Sequence, residues 1–265
     1  MLYLENLSKT FSPGTVNEKH ALNGLSLHLE PGDFAAIVGS NGAGKSTLFG
    51  AIAGSFFTDS GRIVLDGRDI TFEKEHRRSR QIGRLFQDPL RGTAPRMTIE
   101  ENLALAYLRA SGKGAGFGRI GKAERALFRE KLAGLGLGLE DRMSQPVGLL
   151  SGGQRQALTL LMATLKKPQL LLLDEHTAAL DPKTAAKVLS ATEQIVRRDN
   201  LTTLMITHNM RDAIAHGNRL VMLYDGRVVV DVRGEEKRRL TVEDLLEKFN
   251  QASGSSEADD KLLLS

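Results

Sequence analysis

Residues 34–47 read Phe-Ala-Ala-Ile-Val-Gly-Ser-Asn-Gly-Ala-Gly-Lys-Ser-Thr and contain the pattern G-x-x-x-x-G-K-S/T. The apolar run Phe34–Val38 predicts a strand covered on both faces, and Lys45–Ala53 predicts a helix. The glycines between them let backbone N–H groups converge on phosphate oxygens at the positive end of that helix. A glycine-rich turn that binds nothing is disfavoured, because the pattern stands between a strand and a helix.

Each residue type in this phosphate loop suits contact with a nucleotide. Lys45 is suited to reach the β- and γ-phosphates, and the hydroxyl of Ser46 is suited to bind Mg²⁺. The predicted nucleotide contacts of the loop are Gly39, Ser40, Asn41, Gly42, Ala43, Gly44, Lys45, Ser46 and Thr47.

The segments around the loop alternate between strand and helix patterns, which predicts an α/β fold with a mostly parallel sheet covered by helices on both faces. Strands are predicted at residues 2–7, 25–29, 61–66, 82–86, 170–173, 204–207 and 220–224. Helices are predicted at residues 99–109, 122–135, 153–165, 183–198 and 210–215, with a last one capped by Thr241. A mobile glycine-rich loop is predicted at 111–121, and a loose polar tail at 253–265.

The composition is that of an ordinary globular protein, with 41% hydrophobic and 26% charged residues among 265. The absence of cysteine excludes disulfides, thiolate metal sites and cysteine nucleophiles. The net charge of +4 is mild, and the basic run at residues 77–80 is interpreted as a solvated helix face rather than a site for nucleic acid or lipid. The N-terminus has no signal-peptide pattern, and no apolar run approaches the ~20 residues that cross a bilayer, so we expect any membrane role to come through a partner.

A second apolar strand, predicted at residues 170–173, ends in the paired acids Asp174 and Glu175. An acid at the carboxyl end of a strand in an open α/β sheet faces the crevice where ligands bind. We therefore expect Asp174 to hold Mg²⁺ and Glu175 to orient or deprotonate the attacking water. Two acids after a strand are by themselves more often a solvated turn, and the phosphate loop is what favours the functional interpretation.

The stretch Leu150-Ser-Gly-Gly-Gln-Arg-Gln156 resembles the signature of the ABC ATPase family, followed by its helix. The resemblance implies that this segment contacts the γ-phosphate of an ATP held by a second subunit, through Ser151, Gly152, Gly153 and Gln154. Small side chains and backbone N–H groups at the start of a helix fit such a role. Without the resemblance, Ser-Gly-Gly would be interpreted only as an N-cap turn.

Further residues resemble functional positions of the family, and they follow one another along the chain in the same order as in the family. Gln87 resembles the glutamine that contacts Mg²⁺ and senses the membrane partner, and His208 resembles the switch histidine that contacts the γ-phosphate. Asp181 lies in a stretch that resembles the loop across which two subunits communicate. Phe11 stands where the family places an aromatic ring against adenine, although tyrosine is commoner there. A second departure is His176, where many members have proline; neither departure threatens the chemistry.

The resemblance covers residues 2–235 and implies a P-loop NTPase (RecA-like) core, an N-terminal antiparallel β subdomain and an inserted α-helical subdomain. The core is expected at 1–90 and 156–235, the helical subdomain at 91–155, and a C-terminal helix and flexible tail at 236–265. ATP and Mg²⁺ are the implied cofactors. The implied partners are a second copy of the chain across the ATP sites and a separate integral-membrane permease, with no nucleic acid, at the cytoplasmic face of the membrane.

A transport ATPase is favoured over two alternatives. A non-transport ABC ATPase of repair or translation is disfavoured, because only about a hundred residues without sustained heptads separate loop from signature and the chain has one cassette, but an assembly ATPase stays open. A regulatory module without turnover is disfavoured because no catalytic position is degraded. A cassette without fused spans resembles bacterial importer subunits that work with an extracytoplasmic solute-binding protein, and residues 174–185 and 207–210 resemble putative importers of amino acids, including aromatic ones.

Overall fold

The computed structural model describes residues 1–111 and 120–253 of the chain. The central part of the predicted glycine-rich loop and nearly all of the predicted tail lie outside these residues. The described chain forms two compact units, Met1–Arg78 together with the chain from Asn200 onward, and Ser79–Asp199. The subdomain limits drawn from the sequence stay a prediction, and one of them, at 155/156, falls within a helix.

The strands of the described chain are, in order, β1 Leu2–Phe11, β2 Lys19–Leu29, β3 Phe34–Val38, β4 Ser60–Leu65, β5 Arg68–Asp69, β6 Ile82–Leu85, β7 Leu170–Asp174, β8 Thr203–Ile206, β9 Arg219–Tyr224 and β10 Arg227–Arg233. The helices are α1 Lys45–Ala53, α2 Glu75–Arg78, α3 Ile99–Ser111, α4 Lys122–Ala133, α5 Gly152–Thr164, α6 Pro182–Asp199, α7 Met210–Ala215, α8 Gly234–Arg239 and α9 Val242–Ser253.

The first unit contains an antiparallel sheet and a mostly parallel one. The antiparallel sheet has the order β2-β1-β4-β5, and the strands of the other follow the order β10-β9-β3-β8, with β3 parallel to both β8 and β9. Every residue of β3 is buried, which explains its unbroken apolar sequence. The sequence-based fold class, α/β with an N-terminal antiparallel sheet and parallel strands alternating with helices, is confirmed.

Arg78 corrects the interpretation of the basic run at 77–80 as a solvated helix face. Its side chain is 1% exposed, and its guanidinium donates four hydrogen bonds to backbone carbonyls. Two of these carbonyls, of Ala51 and Ile52, lie at the end of α1, where a helix leaves carbonyl groups without partners. Arg78 therefore fastens the end of the helix that begins in the phosphate loop.

The second unit is built around the parallel pair β6 and β7 and a set of helices. Its helices α3, α4 and α5 share a hydrophobic core whose largest member is Phe128. The predicted capping box of α3 is present, because Thr98 and Glu101 exchange backbone hydrogen bonds through their side chains.

Two elements near the C-terminus were not predicted, β10 and α8. Strand β10 follows the tight turn Asp225-Gly226, in which both residues have positive φ, a typical signal of a two-residue hairpin. In α8, Lys237 is buried and donates hydrogen bonds to three carbonyls at the end of α7. Among the described residues, no helix combines the length and the apolar character needed to span a lipid bilayer.

Candidate functional site

The phosphate loop connects β3 to α1 through glycines that other residues cannot replace. Gly39, Gly42 and Gly44 have φ of 149°, 87° and 103°, in the region that disfavours side chains. A Cβ atom on Gly44 would lie 2.5 Å from the carbonyl oxygen of Ala21, and one on Gly39 would collide with the carbonyl oxygen of Leu223. The neighbouring strands thus hold the loop with its N–H groups at the start of α1.

Lys45, the first residue of α1, is held against the loop itself. Its side chain is 5% exposed, and Nζ donates to the carbonyl oxygens of Gly39 at 2.5 Å and Ser40 at 3.1 Å. Ser46, the next residue, is exposed at the helix N-terminus. A buried cation and an accessible hydroxyl therefore stand side by side at the positive end of a helix, which suits them to a phosphate and its counter-ion.

His208 belongs to the same sheet edge as the phosphate loop. Strand β3 is parallel to β8, with Ile37 opposite Ile206, so the segments that follow the two strands leave the sheet at one edge. His208 lies in the second of these segments, just before Asn209, whose side chain accepts hydrogen bonds from the first N–H groups of α7. The first unit thus brings the phosphate loop and the segment that contains His208 to the same edge of the sheet.

Phe11, predicted to stack on adenine, ends β1 in the first unit. It is 36% exposed, and its ring forms a T-shaped pair with Phe56, with the centroids 5.3 Å apart and the ring planes at 80°. The ammonium of Lys9 lies 5.6 Å from the centroid of Phe11. The ring is therefore packed against Phe56 and keeps part of its surface open to solvent.

The second unit brings Gln87 and the paired acids to one edge of a parallel strand pair. Leu85 of β6 lies opposite Leu173 of β7, so the exposed Gln87 and the half-buried Asp174 and Glu175 follow their strands at the same end. Oxygen ligands from an amide and carboxylates are those that Mg²⁺ prefers.

Arg84, which the sequence analysis did not single out, lies beside the first of these acids. Its Nη2 is 3.7 Å from Oδ2 of Asp174, and its guanidinium lies 4.6 Å from the ring centroid of Phe86. The sequence placed Arg84 in the predicted strand at residues 82–86, but the pairing of that strand with β7, which brings Arg84 to Asp174, is seen only in the structure.

Glu175 is held in an unusual backbone conformation. Six described residues other than glycine have positive φ; four of them are Asn or Asp, which tolerate this region, and the other two are Ser12 and Glu175, the latter at 46°. Its carbonyl oxygen accepts the N–H of Ala178, which closes the turn after β7. Strained residues of this kind concentrate at functional sites, because the surrounding structure must impose the conformation.

The signature segment begins α5 with a complete capping box. Oγ of Ser151 accepts the N–H of Gln154, and the side chain of Gln154 accepts the N–H of Ser151. Gly153 is buried, and a Cβ atom there would collide with the methyl group of Thr184 in α6. Exposed Gly152 precedes it, so backbone rather than side chain is presented at the helix start.

Asp181 lies directly before α6 and binds Thr184, the residue that packs against Gly153. Its carboxylate accepts the N–H of Thr184, and hydrogen bonds from the side chain and backbone of Thr184 hold the pKa of Asp181 below its usual value. Thr184 therefore touches both the signature glycine and the predicted communication loop, a connection that the sequence analysis missed because it depends on packing between helices.

His176, which departs from the family pattern, is accommodated as a buried residue. Its ring is 2% exposed, and Nε2 lies 3.3 Å from Oγ1 of Thr192. The histidine at this position is therefore packed inside the second unit, next to α6.

Comparison with known proteins identifies the class that these features define. The family model for the ABC transporter matches residues 22–178, from β2 through the paired acids, and the chain belongs to this family. It is the ATP-binding, ATP-hydrolysing subunit of an ABC transporter, which implies a membrane permease as its partner.

Individual proteins of this family are similar to the chain over most of its length. It is 47% identical to a tyrosine transport ATP-binding protein of Clostridioides difficile, over 95% of this chain and all of that protein. It is 36% identical to an aliphatic sulfonates import ATP-binding protein of Cupriavidus necator, over 81% of this chain and 65% of that one. Among solved structures, the dimeric post-hydrolysis state of the ATP-binding cassette MJ0796 bound to ADP and Pi matches with a TM-score of 0.73 and 28% identity, covering 88% of this chain and 98% of that one.

Proposed function

We propose that this chain supplies the energy for uptake of an aromatic amino acid, tyrosine or a close analogue, through a separate permease. The observation that carries the proposal is the 47% identity to the tyrosine transport ATP-binding protein, which extends over 95% of the chain. That match extends well beyond residues 22–178, the part of the chain that the family model covers. Import is supported by the sulfonate relative, which is an import ATP-binding protein.

The site residues are proposed to share the work of hydrolysis as follows. Lys45 holds the β- and γ-phosphates, Glu175 accepts the proton of the attacking water, and His208 contacts the γ-phosphate. Phe11 stacks on adenine. The buried Lys45 and the constrained backbone of Glu175 support this assignment, because the surrounding structure restricts the positions of both groups.

Mg²⁺ is proposed as the counter-ion, held by Ser46, Gln87 and Asp174. Hydroxyl, amide and carboxylate oxygens suit this hard cation. When bound, the ion neutralises charge on the β- and γ-phosphates.

Two copies of the chain are proposed to pair around two ATP molecules. The capped start of α5, with Ser151, Gly152, Gly153 and Gln154, contacts the γ-phosphate bound by the partner copy, and Asp181 lies at the contact between copies. Support comes from the dimeric state of the matched cassette and from the exposed backbone at the start of this helix. The pair works at the cytoplasmic face of the membrane with a permease and an extracytoplasmic solute-binding protein.

Transport of tyrosine can be tested in cells that lack the gene for this chain. Uptake of labelled tyrosine should fall on deletion and return with the wild-type chain but not with Lys45→Ala, while uptake of methionine, which serves as the specificity control, stays unchanged. Tyrosine uptake that persists in the deleted strain, without a second tyrosine system, would refute the cargo assignment and leave the ATPase assignment intact.

The role of Glu175 can be tested with purified protein. Glu175→Gln should slow ATP hydrolysis by about 10²–10⁴-fold, because the amide cannot take up the proton, while ATP binding survives. The same variant should form dimers with ATP, measured by light scattering, since turnover no longer separates the copies. Full turnover by Glu175→Gln would remove this residue from the role of base.

A further inference from the structure

A second lysine lies next to the phosphate loop. Lys19, the first residue of β2, is exposed, and a methyl group placed on Gly42 would lie 3.5 Å from its Nζ. Its ammonium therefore lies close to the middle of the loop. Lys45 approaches the same loop from the side of α1, so two cations flank it.

The ammonium of Lys19 is not neutralised within the described part of the chain, where it makes no hydrogen bond and no ion pair. The nearest acid along the chain, Glu18, is occupied: its carboxylate accepts the N–H of Gly14 at 2.6 Å and lies 3.1 Å from Nε2 of His20. By contrast, the ammonium of Lys9 is bound to Asp59 at 2.7 Å. Lys19 therefore keeps its charge available for an anion.

The pairing of β1 with β2 connects Lys19 to the proposed adenine contact. Phe11 is the direct cross-strand partner of Lys19, and neighbouring antiparallel strands hold such partners about 5 Å apart between Cα atoms. The side chain of Lys19 thus bridges the position of the ring and the phosphate loop, the two features that recognise the ends of a nucleoside polyphosphate.

We propose that Lys19 is an additional nucleotide contact, whose ammonium pairs with phosphate oxygens of bound ATP and ADP. The inference rests on the proposed assignment of residues 39–47 as the phosphate loop. A lysine suits this position because its flexible stem carries a compact charge that can follow phosphates of different geometry. It raises nucleotide affinity without taking part in the chemical step.

The test is the affinity for ADP with Mg²⁺, measured by calorimetry, because ADP binds without turnover. Lys19→Met keeps the length of the side chain and removes its charge; it should weaken ADP binding by about 3- to 10-fold, the range of a partly exposed charge pair. Lys19→Arg should restore most of the affinity. Lys74→Met, which removes an exposed charge elsewhere in the same unit, is the matched control and should bind ADP like the wild type.

Two further measurements, ADP binding at raised salt and ADP binding by Lys45→Ala, separate failure of this inference from failure of the phosphate-loop assignment. The difference between wild type and Lys19→Met should shrink when salt is raised from about 0.05 M to about 0.5 M, since screening weakens an exposed pair. Equal affinities of Lys19→Met and Lys74→Met for ADP at low salt would overturn the inference. If Lys45→Ala also bound ADP like the wild type, the assignment of the phosphate loop would fail with it, whereas weak binding by Lys45→Ala alone would leave that assignment standing.

Discussion

Replacing Arg78 with methionine should destabilise the protein strongly, although the residue lies in a run of exposed basic side chains. The guanidinium donates to the carbonyl oxygens of Ala51 at 2.7 Å, Ile52 at 2.8 Å, Glu73 at 2.8 Å and Thr71 at 2.9 Å, which uses four of its five N–H groups. Burial lowers the pKa of Arg78, which shows that the environment disfavours its charge and that the carbonyls must offset this cost.

The expected loss follows from these contacts. Four hydrogen bonds at a net ~1 kcal/mol each correspond to about 4 kcal/mol, and the carbonyls that Arg78→Met leaves unpaired keep the loss near that value even though the methionine packs well. We therefore expect the free energy of unfolding to fall by roughly 3–5 kcal/mol, with a drop in the thermal midpoint on the order of 10 °C.

The assay is urea unfolding followed by circular dichroism, together with hydrogen exchange of the amides of α1. Arg77→Met, which removes an exposed neighbour, should change stability by less than about 0.5 kcal/mol. Exchange should accelerate at the end of α1 more than in α9, because Arg78 holds carbonyls of the former. Equal unfolding midpoints for the two variants would show that the buried guanidinium does not stabilise the fold and would refute this reasoning.

Three further predictions concern separate contacts. Gly153→Ala should cost ~1–3 kcal/mol through its collision with the methyl group of Thr184, and adding Thr184→Ala should restore most of that, as a double-mutant cycle by urea unfolding would show; additive losses would contradict it. Hydrogen bonds from the side chain and backbone of Thr71 lower the pKa of Asp69 to about 2, so its contribution to stability is complete above pH ~4 and is lost as the pH falls towards 2; the stability difference between wild type and Asp69→Asn should shrink over that interval, and a constant difference would count against it. Lys237→Met should lower the free energy of unfolding by ~2–4 kcal/mol, since three carbonyls at the end of α7 lose their donor. An unchanged thermal midpoint would argue against that role.

The sequence was sufficient to predict those elements whose bounds and caps are determined by residues close together in the chain. Strand β3, helix α1 and helix α7 have the predicted bounds, and the capping residues Thr98 and Thr241 make the expected hydrogen bonds. A phosphate loop and a capped helix start are local patterns, so the motifs were placed correctly on their elements. The contributions of the individual site residues to hydrolysis stay predictions.

Predictions from the sequence were incomplete where strand pairing is irregular, and where the contacting residues are far apart in the chain. Strands β1 and β2 are longer than predicted, because register shifts between Leu4 and Thr10 interrupt the alternation by which a half-buried strand is recognised. The burial of Arg78 was not predictable, because its acceptors are backbone carbonyls that only the folded chain collects around it. The proximity of Lys19 to the loop and the packing of Thr184 against Gly153 likewise depend on the tertiary structure.

The left-handed backbone at Glu175 has a consequence for engineering this protein. An L residue with a long side chain costs about 1 kcal/mol in that conformation, and glycine would relieve the cost. The substitution that local energetics favour at this position is therefore one that deletes the proposed proton acceptor. A screen that rewards heat resistance alone would accumulate inactive clones here, and one that also scores turnover would retain glutamate.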